Sequence, residues 1–556
     1  MVKVNFIARG LTAEVKKGTT ILEAARAVDI LIESPCNAEG TCGKCKVKVN
    51  PKHVHHLIQD GTHHLSQNEE MEGYALACQA KVMGDVDVEV VAKNHNKTLQ
   101  ILSHGKSFDI IIDSFIKKEF DGSAKTLVYA GEKVIGEELG DTSALNYGVV
   151  VDIGTTTLVT SLVDLYTGDE YASISALNPQ SLLAQDVLSR IKYASTEDGL
   201  TVMHGEIIKE INRMIADVAQ EAGVNRENIY EIIFSGNTCM IHLAANVNPS
   251  SLGKYPYIPG IQGGSHINAS DHGVNIADFG IIYLPPIISA YVGPDITSGV
   301  LAARLQDRKG VTLFVDIGTN GEMVIGSDGQ LSATSTAAGP AFEGMNITHG
   351  MRAAKGAVEF FEIQQDGSII IKTIEDGKTV GICGSGLVDI VGELVANGVL
   401  AKNGKFVSPD NPEIKPGLRK RLVKHDGKLV FEIADGVFLT QKDVRQVQLA
   451  KGAVRSGIEF LLKSKGVKAD EVDKVLIAGS FGYHLRAKSL INIGLLPENL
   501  TGKIDFIGNT SKSGGRAFLL NVAYRREMED LVQDIEVVEL ANHEDFDKVF
   551  VACLGF

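Results

Sequence analysis

The chain has 556 residues, of which 44% are apolar and 22% charged, and its formal net charge of −15 lies almost entirely outside residues 1–93. A chain of this length exceeds what one hydrophobic core usually serves, so several domains are expected. A body this acidic is expected to repel nucleic acid and anionic lipid. The first residues lack a signal-peptide pattern, and no apolar run approaches the roughly 18 residues that span a bilayer. These features predict a cytoplasmic protein with protein or small-molecule partners and with no nucleic acid and no membrane.

The first 93 residues begin with a hairpin and helix pattern and then carry four of the seven cysteines. Residues 2–7 and 11–15 alternate like paired strands, and Thr19 or Thr20 can cap the helix that follows. Cys36, Cys42 and Cys45 then form a C-x5-C-x2-C array, and Cys78 comes later. Four thiolates are what a [2Fe–2S] cluster requires. This order is that of a β-grasp ferredoxin, an α+β domain, and the extra residue in the first gap resembles the adrenodoxin-like branch.

Two other interpretations of the cysteines stay open at this point. A structural zinc site usually needs two short Cys or Cys/His pairs, and only Cys42 and Cys45 make one. Nearby histidines could supply the missing ligands, although they fall in a polar, looped stretch: His53, His55, His56, His63 and His64. Inert cysteines are the remaining alternative. The spacing favours the iron–sulfur cluster.

Residues 94–145 have no single periodicity and mix polar stretches with short apolar runs and several glycines. We interpret them as a linker followed by a small strand-rich middle domain. A flexible tether would let the first domain swing between an electron donor and an acceptor. A packed connector without mobility is an equally good interpretation.

The remainder of the chain contains an internal repeat. Residues 149–157 read V-V-V-D-I-G-T-T-T, and residues 313–321 read L-F-V-D-I-G-T-N-G. In each copy a buried strand ends in an aspartate that can hold hydrated Mg²⁺, and a tight turn follows whose N–H and hydroxyl groups can bind phosphate. Residues 475–482, V-L-I-A-G-S-F-G, form a third strand with a glycine turn that suits close approach to adenosine. A P-loop motif is absent from the sequence.

These three motifs resemble the phosphate-1, phosphate-2 and adenosine motifs of the acetate and sugar kinase, chaperone and actin superfamily. The resemblance implies a multidomain α/β protein whose residues 146–556 form a duplicated actin-like (ribonuclease H-like) ATPase, with subdomains at about 146–310 and 311–556. Residues 381–386, which open an apolar helix at 387–395, resemble the first connecting helix of that superfamily.

The same resemblance implies which residues handle ATP and Mg²⁺. It assigns Mg²⁺ and phosphate to Asp152, Thr155, Thr156, Asp316, Thr319 and Asn320, further nucleotide contacts to Gly154, Thr157, Gly318, Gly321, Gly384 and Ser385, and adenosine to Gly479, Ser480, Phe481 and Gly482. Asp186 and Asn237 are candidates for positioning the hydrolytic water, and the alternatives for them are a helix-surface carboxylate and a turn asparagine.

A narrower resemblance follows from the order of the domains. A ferredoxin domain ahead of Y-G-V-V-V-D-I-G-T-T-T is similar to the reductive activators of corrinoid-dependent enzymes, and four further segments fit the same family: residues 178–190, 235–238, 337–344 and 448–453. The resemblance implies ATP-dependent transfer of one electron from the [2Fe–2S] cluster to a Co(II) corrinoid, which restores Co(I) for methyl transfer. Plant-type clusters lie near about −400 mV, and passing one electron to a couple about 100 mV lower costs about 2 kcal/mol, which ATP can supply. The implied partners are the corrinoid protein of a methyltransferase system and a low-potential donor of the ferredoxin or flavodoxin type, and a homodimer is compatible with the sequence. The 334–351 region is a candidate partner-facing loop.

Two further function classes remain as alternatives. Activators of radical dehydratases share the ATPase fold but hold a [4Fe–4S] cluster with cysteines inside it, whereas Cys239, Cys383 and Cys553 are scattered and suit small buried side chains. A non-catalytic ATP-binding redox sensor is the third hypothesis. An ATPase assay with and without a corrinoid protein separates that sensor from an activator.

Overall fold

The computed structural model describes the chain except residues 8–9, 29, 31, 33–44, 60–64, 66, 91–97, 104–105, 185 and 480–484. The chain divides into two compact units, the first made of Met1–Asn96 and Leu102–Ser107, the second of Lys97–Ile101 and Phe108–Phe556. In the part of the chain that the structure describes, every helix is too short or too polar to cross a membrane.

The first unit is a mixed sheet packed against a short helix. Its elements are β1 (Val2–Phe6), β2 (Leu11–Val15), α1 (Ile21–Arg26), β3 (Lys46–Val49), β4 (Leu57–Gln59), α2 (Gln67–Met71), β5 (Tyr74–Leu76), β6 (Ala80–Val82) and β7 (Val86–Val90). The sheet order is β2-β1-β7-β3-β5, with β1 and β7 parallel. Thr20 caps α1 in a capping box with Glu23, and the alternating strand residues Val4 and Val88 lie in the core under α1.

The strands that follow extend to residue 139. They are β8 (Thr98–Ser103), β9 (Lys106–Ile111), β10 (Ile116–Phe120), β11 (Lys125–Ala130) and β12 (Lys133–Leu139). The last three form an antiparallel sheet whose buried residues, Ile116 and Val128, belong to the same core as Val150. Lys118 Nζ donates to Glu138 at 2.7 Å and to Tyr230 at 2.6 Å. This sheet is therefore packed against the body of the second unit rather than being a free tether.

The body of the second unit consists of two halves with the same strand plan. The first half contains β13 (Tyr147–Ile153), β14 (Thr157–Asp164), β15 (Glu170–Leu177), α3 (Val187–Tyr193), α4 (Glu197–Ala222), β16 (Ile229–Gly236), α5 (Thr238–Ala244), β17 (Ser265–Asn268), β18 (Ile281–Leu284) and α6 (Pro294–Ala303). Its sheet order is β15-β14-β13-β16-β18-β17, with β13, β16 and β18 parallel.

The second half repeats this plan and adds insertions. It contains β19 (Val311–Ile317), β20 (Gly321–Ser327), β21 (Gln330–Thr336), β22 (Ala357–Ile363), β23 (Ile369–Thr373), β24 (Gly381–Ile382), α7 (Gly384–Ala396), α8 (Pro416–Arg419), β25 (Leu422–His425), β26 (Lys428–Ala434), β27 (Val437–Thr440), α9 (Gln441–Ser464), β28 (Lys474–Ala478), α10 (Ala487–Asn492), β29 (Ile504–Gly508), α11 (Thr510–Leu520), α12 (Ala523–Asp534), β30 (Glu536–Val537) and α13 (Phe546–Cys553). The order β29-β28-β19-β20-β21 matches β18-β16-β13-β14-β15 of the first half, strand for strand.

Two helices join the halves, and they are α6 and α11. Each follows the last parallel strand of its own half, and the two pack against each other between the sheets. The contact is close because Gly514 of α11 lies against the backbone of Ser298 in α6, where a Cβ atom on residue 514 would stand 2.0 Å from the Ser298 carbonyl oxygen. Their apolar side chains share one core with strands of both sheets.

The prediction that the helix at 387–395 is the first connecting helix is wrong. That helix, α7, packs on β22 and α10, and its buried residues Leu387 and Val391 belong only to the core of the second half. Its glycine-rich start serves close packing there, since a Cβ atom on Gly386 would stand 2.0 Å from the carbonyl oxygen of Val358.

Candidate functional site

A cavity of about 600 Å³ lies between the two halves of the second unit, at the carboxyl ends of their parallel strands. The turns of the two repeated hairpins face each other across it, and Thr156 Oγ1 lies 2.9 Å from Thr319 Oγ1. The strand runs that precede the turns are buried on both faces, which fixes where each turn begins. The internal repeat of the sequence therefore produces two turns that meet at one point of the cleft.

Asp152, at the end of the first of these strands, is held by the start of α11. Asn509 Nδ2 donates to one carboxylate oxygen of Asp152 at 2.7 Å, and Ser511 Oγ donates to the other at 2.7 Å. Asn509 is also the residue that caps α11. Both aspartate oxygens are thereby oriented by one helix terminus.

Four carboxylates line the floor of the cleft: Asp152, Asp295, Asp316 and Glu322. Burial raises the pKa of Asp316 to about 8 and that of Asp295 to about 7, and neighbouring carboxylates contribute to both shifts. Burial and the charges of Asp295 and Asp316 also raise the pKa of Glu322, and burial raises the pKa of Asp152. Among the described residues, none of the four forms an ion pair with Lys, Arg or His, and their raised pKa values mean that protons, rather than cationic side chains, offset part of their charge.

The donor set of the floor fits a hydrated Mg²⁺. Within the described ranges no group of three or more His, Cys, Asp or Glu side chains is arranged to hold a metal by itself. Mg²⁺ does not require such a cage, because it keeps several waters and is commonly bound by one or two carboxylates together with substrate phosphates. Asp152 and Asp316 can supply those two carboxylates.

Glu343 extends the acidic lining at the second turn. Thr319 Oγ1 donates to Glu343 Oε1 at 2.5 Å, and burial raises the pKa of Glu343 while Thr319 and Thr156 oppose that shift. The exposed Arg352 lines the same cavity. These residues belong to the 334–351 region and its border.

Glycines line another side of the cavity. Gly479 has a φ of +105°, and a Cβ atom there would stand 2.7 Å from the carbonyl oxygen of Ile317, so only glycine fits the turn after β28. Gly384 and Ser385, at the N-terminus of α7, also line the cavity. The remaining predicted adenosine residues, Ser480, Phe481 and Gly482, lie outside the described residues.

In the first unit, two of the four predicted cluster ligands are described. Cys45 and Cys78 are buried, their sulfur atoms are 3.2 Å apart, and they form no disulfide. Two thiolates bound tetrahedrally to one metal at about 2.3 Å stand about 3.8 Å apart, so the two sulfur atoms are near enough to share one metal ion once they move apart by about 0.6 Å. Cys36 and Cys42 lie outside the described residues. His53 and His56, candidates for zinc, instead bond the backbone of Asp87 and Asp85.

Comparisons with known proteins agree across the chain. Residues 5–83 match the 2Fe-2S iron-sulfur cluster binding domain, residues 147–308 the RACo middle region, and residues 310–556 the C-terminal domain of RACo, the ASKHA domain. The corrinoid activation enzyme RamQ of Eubacterium limosum is 28% identical over 562 residues, with 91% of each chain covered. A solved reductive activator for corrinoid, iron-sulfur protein superposes with a TM-score of 0.74 at 28% identity, covering 100% of this chain and 98% of that one.

This chain belongs to the family of corrinoid reductive activators. A further relative is the [Co(II) methylated amine-specific corrinoid protein] reductase of Methanosarcina barkeri, 24% identical over 442 residues, with 74% of this chain and 77% of that one covered. The ferredoxin fold and the actin-like fold predicted from the sequence are confirmed.

The activator's cleft brings together most of the residues that the sequence nominated. Those that line it are Asp152, Gly154, Thr155, Thr156, Thr157, Asn237, Asp316, Gly318, Thr319, Asn320, Gly384, Ser385 and Gly479. Asn237 Nδ2 lies 3.4 Å from Glu322 Oε1. Gly321 starts β20 and faces away, because its Cβ position meets Val454 at 2.8 Å.

Asp186 lies elsewhere in the activator. It is exposed, it caps α3 by accepting hydrogen bonds from Ser189 N and Oγ at 2.8 Å each, and it does not line the cavity. The structure therefore gives Asp186 the helix-surface position that was its alternative.

Sequence reasoning missed several residues of the activator's cleft, and two of them had a readable signal. Asn509 belongs to a G-N-T segment at 508–510 that repeats the G-N-T at 236–238, and Glu322 directly follows the second hairpin turn. Glu343 lies in the segment 337–344 that the family resemblance had marked, whereas Asp295 had no such signal, because only the tertiary fold brings its segment to the cleft.

Proposed function

We propose that this protein is an ATP-dependent reductive activator, which transfers one electron from a [2Fe–2S] cluster to the Co(II) corrinoid of a partner protein and so restores Co(I). The observation that carries the proposal is the meeting of the two hairpin turns, with Thr156 and Thr319 at 2.9 Å, in a chain whose residues 5–83 match an iron-sulfur domain. The names of the relatives, which refer to corrinoid activation and to Co(II) corrinoid protein reduction, support the choice of partner.

ATP binding is supported by the chemistry of the cleft. Thr155, Thr156, Thr319 and Asn320 present hydroxyl, amide and backbone groups from both sides, which suits the phosphates of one nucleotide. Gly479 leaves room for close approach of the adenosine. A cavity of about 600 Å³ lies within the range that small-molecule and cofactor sites occupy.

Mg²⁺ is supported by the four carboxyl groups of the floor, which have no ion-pair partner among the described residues. Asp152 and Asp316 would hold it together with the phosphates, and the cation would replace the protons that otherwise offset the charge of these carboxyl groups. Asn237 and Glu322, which lie together at the floor, are then the side chains placed to orient a water against the terminal phosphate.

The electron-carrying group would be held by Cys36, Cys42, Cys45 and Cys78. Bound there, a [2Fe–2S] cluster supplies a one-electron carrier of low potential. The chain's own contribution is to bury the sulfur atoms and to donate hydrogen bonds to them: Cys78 N–H reaches Cys45 Sγ at 3.5 Å, and Gln79 Nε2 reaches Cys78 Sγ at 3.6 Å.

The domain boundaries predicted at 93 and 145, the cytoplasmic location, the low-potential donor and the homodimer belong to the same proposal. Each follows from the sequence and from the resemblance. The 334–351 region is proposed to face the partner, and its Glu343 lines the cleft.

A spectroscopic assay tests the proposed function. The full chain is reconstituted anaerobically with iron and sulfide and mixed with a low-potential reductant and a Co(II) methylamine-specific corrinoid protein, or in a parallel run a Co(II) corrinoid iron–sulfur protein. We expect the Co(I) absorption to appear with ATP and Mg²⁺ and to be absent with a non-hydrolysable analogue. Asp316→Asn should abolish the ATP effect. Asp328→Asn, in the exposed turn between β20 and β21, should leave it unchanged.

Two results would contradict the proposal. Co(I) that forms equally fast without ATP would remove the ATP-dependence. Failure to form Co(I) from either corrinoid protein, by a chain that holds iron and hydrolyses ATP, would remove the corrinoid substrate and favour the redox-sensor hypothesis.

A further inference from the structure

Arg190 of α3 is a fully buried arginine with only neutral partners. Its exposed fraction is 0%, Nη2 donates to the carbonyl oxygen of Thr155 at 2.6 Å, Nε donates to that of Ala184 at 3.0 Å, and Nη1 donates to Gln180 Oε1 at 3.2 Å. No described carboxylate accepts a hydrogen bond from it. Burial lowers the pKa of Arg190 to about 10, which still leaves it charged at neutral pH.

The carbonyl that Arg190 holds belongs to the first phosphate turn. Asn178 holds the two neighbouring carbonyls of the same turn, since its Nδ2 donates to Gly154 O and its backbone N to Thr156 O, both at 2.9 Å. All three carbonyls of the turn thus point away from the cleft, toward residues that do not line it. The N–H groups of Thr155 and Thr156 donate to no other residue in the part of the chain that the structure describes, so they are available on the cleft side.

This arrangement places a positive charge that has no hydrogen-bonded counter-charge directly behind an anion-binding turn, and Asp186, which caps the same helix, acts on it only through a longer-range electrostatic interaction. A buried charge is costly unless it is paired, and a neutral side chain such as glutamine could donate to the same carbonyls without that cost. The guanidinium lies on one side of the turn, and the free N–H groups face the other. An anion bound at those N–H groups would be attracted to Arg190 through protein rather than through water.

We propose that Arg190 is a positioning residue for the nucleotide, which fixes the first phosphate turn and attracts the bound polyphosphate with a charge that no carboxylate of the described residues pairs by a hydrogen bond. The inference rests on the proposed binding of ATP and adds to it a residue that does not touch the nucleotide. It also gives a role to the segment at residues 178–190, which contributes both Asn178 and Arg190.

The test compares nucleotides that differ only in phosphate. Binding of adenosine, ADP and ATP with Mg²⁺ is measured by calorimetric titration on the full chain as wild type, Arg190→Gln and Arg190→Lys. The control is Arg516→Gln, because Arg516 likewise donates only to a backbone carbonyl, that of Gly168, in the turn after β14 and away from the cleft lining. Unfolding temperatures without nucleotide are recorded for each variant.

We expect Arg190→Gln to weaken ATP binding by about tenfold and to leave adenosine binding unchanged, so that the ratio of the two affinities falls. Arg190→Lys keeps the charge and should keep most of that ratio, and Arg516→Gln should keep all of it. A purely structural role would lower both affinities together, and that result, or an unchanged ATP affinity in Arg190→Gln, overturns the inference. If Arg190→Gln does not fold, the test uses Arg190→Lys alone. A ratio of ATP affinity to adenosine affinity that is tenfold lower in Arg190→Lys than in wild type overturns the inference, and an unchanged ratio supports it. A wild type that binds no ATP would instead refute the proposed function.

Discussion

Replacing Gly514 by alanine should separate α6 and α11, the two helices that join the halves of the second unit. The added Cβ atom would stand 2.0 Å from the carbonyl oxygen of Ser298, whereas real Cβ atoms essentially never approach closer than 3.0 Å. The obstacle is backbone of a packed helix rather than the end of a flexible side chain, so α6 and α11 must move apart by about 1 Å at this point. Overpacking of this kind costs about 3 kcal/mol, and the better helix propensity of alanine returns about 1 kcal/mol. The expected net loss is about 2 kcal/mol.

Scanning calorimetry and ATP titration measure the effect of Gly514→Ala. The matched control is Gly205→Ala in α4, where no atom lies within 4 Å of the Cβ position and the substitution should stabilise by up to about 1 kcal/mol. Gly514→Ala should lower the unfolding temperature by a few degrees and weaken ATP binding, since the first turn of α11 orients Asp152. If Gly514→Ala is as stable as Gly205→Ala, the close helix contact does not exist and the assignment of α6 and α11 as connecting helices is wrong.

Two further predictions concern a predicted cluster cysteine, Cys78, and a buried histidine, His242. Cys78→Ser should prevent assembly of the iron–sulfur cluster, seen as loss of visible absorption and bound iron after reconstitution, while Cys553→Ser, at a half-buried cysteine of α13, should not. His242 is buried and neutral, since Nδ1 donates to Thr238 O and Nε2 accepts from Gly260 N, and burial lowers its pKa. Between the lowered pKa of the folded state and about 6.5, only the unfolded chain therefore takes up a proton at His242, so the free energy of unfolding should fall below pH 6.5 by up to about 1.4 kcal/mol per pH unit. In denaturant titrations at several pH values, the free energy of unfolding of His242→Gln should depend less steeply on pH than that of wild type. Equal pH slopes for the two proteins would contradict the expectation.

The sequence sufficed for features that are encoded locally. The two D-I-G-T hairpins could be read because a run of β-branched residues, an aspartate and a glycine turn specify a buried strand and its end within nine residues. The cysteine order predicted the ferredoxin for the same reason, and the comparisons confirm that domain. The glycine turn at Gly479 was readable because its φ of +105° excludes other residues.

The acidic floor and the connecting helices are tertiary features, and local patterns did not determine them. Asp295 lies at the floor because α6 follows the last parallel strand of the first half. The sequence around Asp295 does not indicate that this residue will lie beside Asp316 and Glu322. The connecting helix was misassigned because closely spaced glycines occur in two helices, at Gly384 and Gly386 in α7 and at Gly514 and Gly515 in α11. Which of them lies between the halves depends on the strand that it follows.

The phosphate end of the cleft and the helix pair form one hydrogen-bonded assembly. Asp152 accepts from Ser511 in the first turn of α11, Ser511 Oγ lies 2.9 Å from Ser235 Oγ, and Ser235 Oγ lies 2.9 Å from Ser298 Oγ in α6. A cation that takes an oxygen of Asp152 must either share it with α11 or displace that helix's donors. Either change first affects the start of α11, the helix that packs on α6 through Gly514. A change of charge between the two hairpin turns therefore acts directly on the contact that sets how the two halves meet.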